Sequence, residues 1–125
     1  MPRLSVLPNL APARLDLQVY RGDTFRMRMM LKSGGLPVAV VPQGQYSWEF
    51  TAQIRATFDG PVITFFDVEV VGEKTGFLRL YLAPDQSQLL PSKSLWDLQS
   101  VDPNLRTRTL VRGEIVCTPD VTHNN

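Results

Sequence analysis

Side chains able to do chemistry are few and scattered in this 125-residue chain. It carries one histidine, His123, and one cysteine, Cys117. A zinc site draws three or four ligands from His, Cys and carboxylates, so this pair cannot build one. A nucleophilic triad needs a histidine held in a fixed place beside its Ser or Cys. His123 lies in a polar tail, and Cys117 reads as a small buried apolar side chain. Asp59, Asp67, Glu69 and Glu73 gather in one stretch, and a pair of carboxylates can cleave glycosides. These four alternate with apolar residues or fall in loops, the pattern of a solvated face. Ser33-Gly34-Gly35 lacks the Lys and the following helix of a phosphate loop. The expectation is no catalytic residue, no metal, no cofactor and no small-molecule substrate.

Two further groups could recognise a partner. Arg21-Gly22-Asp23 on an exposed loop is a short integrin-docking signal, but the same triplet makes a tight turn with Gly22 at positive φ. The turn reading is preferred. Arg106 and Arg108 share one face of a strand, a basic ladder that can meet a partner's carboxylates or simply solvate an edge. Arg112 takes the opposite face only if Gly113 does not bulge before it.

These residues must be positioned by strands. Leu15, Leu17 and Val19 alternate with polar neighbours, as do Phe25, Met27, Met29 and Leu31. Tyr46, Trp48, Phe50, Ala52 and Ile54 form the longest clean alternation. Period 2 of this kind marks half-buried strands. Further strand material lies at Pro37 to Val41, Val62 to Phe66, Val68 to Val71, Phe77 to Leu82, Leu95 to Val101 and Leu105 to Cys117. Gly113 inside the last of these predicts a bulge or a close backbone approach. Pro84 and Pro91 bracket one helical turn near residues 84–90, with Leu89 or Leu90 plugging the core. The predicted fold is all-β: an immunoglobulin-like β-sandwich of seven to eight antiparallel strands over residues 15–119, with Trp48 and Trp96 in its core. A closed small barrel is the runner-up.

Residues 1–14 hold Pro2, Pro8 and Pro12, which oppose a helix, among Leu4, Val6, Leu7 and Leu10. They read as an extended arm, either a frayed terminus or a strap lying on a neighbouring subunit through those four apolar side chains. Residues 120–125 form a short polar tail. Basic and acidic residues number 13 and 12, so no basic excess exists to hold nucleic acid. No stretch approaches the roughly 20 apolar residues that cross a bilayer. The N-terminus has no signal-peptide apolar core. A lone cysteine excludes an internal disulfide and points to a reducing compartment.

Residues 15–122 also resemble a family. Leu15 to Phe25 is similar to the opening of the LtfC-type β-sandwich domain of tailed bacteriophages. Tyr46 to Arg55, ending Ala52-Gln53-Ile54-Arg55, continues the likeness, as does Leu80-Tyr81-Leu82 leading into Pro84-Asp85-Gln86. Leu95 to Gln99, Asp102-Pro103, Thr109 to Gly113 and Thr118 to Thr122 follow in order. The arm has no match. The resemblance implies a non-enzymatic virion component of the tail, baseplate or tail-fibre attachment region. It implies other virion proteins as partners, many copies in a symmetric array, and no enzymatic residues. The alternative function is a receptor- or carbohydrate-binding module. Burial of Tyr46, Trp48, Tyr81 and Trp96 would remove its stacking platform.

Overall fold

The computed structural model describes residues 12–33, 36–37, 48–71 and 76–119. Among them are ten strands and one short helix: β1 (Ala13–Arg14), β2 (Leu17–Tyr20), β3 (Phe25–Met30), β4 (Lys32–Ser33), β5 (Leu36–Pro37), β6 (Glu49–Arg55), β7 (Val62–Val71), β8 (Phe77–Leu82), α1 (Pro84–Ser87), β9 (Lys93–Val101) and β10 (Thr107–Thr118). The period-2 pattern is realised directly. In β3, Met27 and Met29 are buried, while Arg26 and Arg28 stand outside over the rings of Tyr81 and Phe77 on β8. In β6, Ala52 and Ile54 are buried and Thr51 is exposed.

Eight of the strands form a continuous ladder in the order β1-β10-β9-β6-β7-β8-β3, with β2 also on β10. β7 turns it into a sandwich. Its residues up to Phe66 pair with β6, and those from Asp67 onward pair with β8. One half therefore runs β3-β8-β7 and the other β7-β6-β9-β10 with β1 and β2 at the edge. Their inner faces meet in one core containing Met27, Met29, Leu78 and Leu80 from the first half and Ile54, Trp96, Leu98 and Val111 from the second. This is an immunoglobulin-like strand order, with one strand passing between the two sheets. Among the described residues no pairing joins β3 to β1 or β2, so the sheet does not close into a barrel.

The structure refines several expectations. The pairings are antiparallel except at one edge, where β1 and β2 both run parallel to β10. Ala13–Arg14, at the end of the expected arm, is part of that edge. The two candidate strands around Asp67 are one ten-residue strand. The β6–β7 ladder shifts between Ile54 and Arg55, where Ile63 is the extra residue. Trp96 is a core residue, 2 % exposed. Trp48 is only half-buried and stacks on Phe50 with the rings 6.2 Å apart. It packs against the rim of the core rather than inside it. Leu90, not Leu89, plugs the core beneath α1; Leu89 is exposed. Of the strand expected at Pro37 to Val41, only Pro37 is described, paired with Lys32.

Candidate functional site

The tripeptide Arg21-Gly22-Asp23 is a turn, with Gly22 at φ 84°. All three residues are tied down from behind. Arg21 Nε donates to the Leu90 carbonyl, and the Gly22 N–H donates to Ser87 Oγ at 2.9 Å. The Ser87 hydroxyl in turn donates to the Asp23 carbonyl at 2.8 Å. Ser87 is fully buried, so its hydroxyl joins the turn to α1 in a dry place.

The strongest candidate site lies on the outer face of the larger sheet, a groove of about 590 Å³. Strand register builds its floor. Arg14 on β1 lies opposite Arg112 on β10, Arg112 opposite Asp97 on β9, and Asp97 opposite Gln53 on β6. Directly opposite residues share a face, so the four form a polar row across four strands. A second row of Glu114, Leu95 and Arg55 runs beside it.

One end of the groove is fixed by Asp16. Its Oδ1 accepts the Glu114 N–H at 2.9 Å, and its carboxylate pairs with Arg14 at 3.3 Å. The Glu114 N–H, and after it Arg14, hold the Asp16 carboxyl below its ordinary pKa. The folded state therefore binds that proton less readily than the unfolded chain, and the stabilisation is lost as pH falls into the carboxylate range. At the other end Arg55 donates to the Gly60 carbonyl at 2.6 Å and to Gln53 Oε1 at 2.9 Å. These bonds close the loop that presents Phe58, which is 76 % exposed on the groove's rim.

Asp97 is the unusual member. Its Oδ1 is shut off from solvent and has no hydrogen-bond partner. Desolvation raises its pKa, and the charge of Arg55 only partly opposes this. An ionised carboxylate in that position destabilises the fold. The sign is opposite to Asp16: the penalty is felt above the raised folded-state pKa and relieved as pH falls through it. Asp97→Asn is expected to raise the urea midpoint at neutral pH, with the gain vanishing in acid. A lower midpoint at neutral pH would mean that the carboxylate has a partner in the folded state.

The residues singled out in the sequence fall elsewhere. Arg106 is exposed in the turn before β10, its N–H donating to Asp102 Oδ1. Arg108 lies opposite Ser100, on the inward side of β9. A register shift between Thr109 and Val111 then puts Arg112 on the outer face. Cys117 is buried. Among the described residues no group of three or more His, Cys, Asp and Glu could hold a metal, and no helix is long and apolar enough to cross a membrane. Leu4, Val6, Leu7, Leu10, Tyr46, Glu73 and His123 lie outside the described residues. The groove itself was missed. Its one sequence signal is that Gln53, Arg55, Asp97 and Gln99 all occupy the non-core phase of their strands.

No protein-family model matches the chain, and no curated protein matches it. Among solved structures it is similar to CopC from Methylosinus trichosporium OB3b, at 13% sequence identity over 91% of this chain and 90% of that one, with a TM-score of 0.47. A likeness that remote carries no argument about what this chain does.

Proposed function

We propose that the chain is a non-enzymatic structural protein of a bacteriophage virion, an adaptor in the tail, baseplate or tail-fibre attachment region that works through protein–protein contacts. The sequence resemblance supplies the setting. The tip of the β9–β10 hairpin supplies the observation that supports a contact surface. Leu105 is 83 % exposed there and its backbone sits at φ 63°, in the left-handed region. A bulky residue in that region is strained, and an apolar one in water gains nothing by being there. Asp102 holds the conformation: its carbonyl accepts the Leu105 N–H, and its Oδ1 accepts the N–H groups of Asn104 and Arg106. Both costs fall on the free domain, and a partner that covers Leu105 offsets them. Arg106, exposed beside it, gives that contact its charge, whereas Arg108 turns to the inward side of the sheet. In this reading Leu4, Val6, Leu7 and Leu10 add an apolar strap to the neighbouring subunit.

Two variants test it. Leu105→Gly relieves the backbone strain and is expected to stabilise the isolated domain by about 0.5–1 kcal/mol in urea unfolding. The same variant is expected to enter particles less well than the parent when both compete during assembly. Deleting residues 1–11 is expected to leave the unfolding transition in place and to abolish incorporation. Normal incorporation of both variants would remove the hairpin tip and the arm as subunit contacts.

A further inference from the structure

We propose that the groove on the outer face of the larger sheet binds carbohydrate, gripping a vicinal diol between Asp97 and Arg112 while a sugar ring lies against Phe58. This goes beyond the adaptor reading and does not rest on it. Three observations converge. Asp97 and Arg112 are directly opposite on β9 and β10, yet no hydrogen bond or ion pair joins them. Asp97 offers an acceptor that lacks a donor, and the exposed Arg112 offers a forked set of donors. Phe58, on the rim, offers an aromatic face outside the core.

The pattern selects among ligands. A phosphate gains from Arg14 and Arg112 but meets Asp59, Asp97 and Glu114 in the same groove. A bare cation meets the arginines. An apolar ligand leaves the Asp97 carboxylate unpaired and desolvated at further cost. Adjacent hydroxyls of a sugar answer both needs. One donates its proton to Asp97, and its neighbour's oxygen accepts from Arg112. The C–H face of the same ring is apolar and suits an aromatic side chain. Gln53 and Arg112 lie directly opposite Asp97 on the neighbouring strands, and a hydroxyl that pairs with the closed-off Oδ1 must move a neighbouring side chain aside. The volume falls in the range of about 300–1,000 Å³ typical of small-ligand sites.

The test is a titration of the ¹⁵N-labelled full chain with maltose, cellobiose and lactose, each to about 50 mM, ample for a millimolar site. The expected result is saturable shifts of the Phe58, Asp97 and Gly113 amides with at least one of the three. Arg112→Ala and Asp97→Asn are each expected to weaken that affinity about tenfold, the scale of one lost charge-assisted hydrogen bond. Arg79→Ala, which lies on the other sheet and pairs with Glu69, is expected to change nothing. No saturable shift with any of the three sugars overturns the proposal. Shifts that survive Arg112→Ala also overturn it, as do shifts at these amides with inorganic phosphate but with no sugar. A groove reserved for another protein gives the first of those outcomes.

Discussion

Gly113→Ala is expected to destabilise the domain by about 3–5 kcal/mol, at the upper end of what single substitutions do. A Cβ at Gly113 would stand 1.9 Å from the Leu15 carbonyl oxygen and 2.6 Å from its carbon. Both are backbone atoms, so no rotamer change relieves the clash. The segment that must move is fastened in three ways. The Leu15 N–H donates to the Arg112 carbonyl at 3.0 Å, Trp96 Nε1 donates to the Leu15 carbonyl at 2.9 Å, and Asp16 accepts from the Glu114 N–H at 2.9 Å. Lifting residues 15 and 16 off β10 loosens all three bonds and the parallel edge they hold. Gly60→Ala is the contrast. The added carbon there meets Thr57 Oγ1 first, at 2.6 Å, and a threonine side chain can turn away. Its cost is expected to stay below about 1 kcal/mol. Urea unfolding of the two variants decides the matter; equal effects would mean that the β1–β2 edge yields freely.

Trp96→Ala is expected to cost about 3–5 kcal/mol, as a buried aromatic truncated in a packed core does. The indole is 2 % exposed and meets the Phe66 ring edge-on at 5.6 Å. Trp96→Phe separates the ring from its N–H. It keeps much of the packing but strips the Leu15 carbonyl of its donor, for an expected loss of about 1–3 kcal/mol. Because Gly113→Ala displaces the same carbonyl, the two substitutions are expected to be less than additive when combined. Strict additivity in a double-mutant cycle would show that the Trp96 bond and the Gly113 contact act independently.

Residue type alone made much of this architecture legible. The alternation in β3 and β6 named which side chains face inward, and Gly113 announced a bulge or a close backbone approach, of which the second is found. What failed to show was register. The two apparent strands on either side of Asp67 are one strand that passes from β6 to β8 there, and the shift at Leu110 sends Arg108 and Arg112 to opposite faces. Neither event leaves a mark in composition. The groove depends on register throughout. Arg14, Gln53, Asp97 and Arg112 are distant in sequence and become neighbours only when four strands align. The Arg21-Gly22-Asp23 turn was legible because glycine and its neighbours fix a turn locally. Its anchorage on Ser87 was not, since that bond spans 64 residues. The half-burial of Trp48 belongs with these: alternation gives the face of a side chain, not how far the opposing sheet extends over it.

The most direct measurement of the central claim is made on particles produced without this chain. On the proposed virion role, a phage carrying a deletion of the gene is propagated with the protein supplied in trans, then passed once through cells that lack it. Electron microscopy and mass spectrometry compare the resulting particles with the parent. The expected particles lack the chain together with the tail, baseplate or fibre components it joins, and regain them when the protein is supplied. Complete, infectious particles that contain no copy of the chain would contradict it.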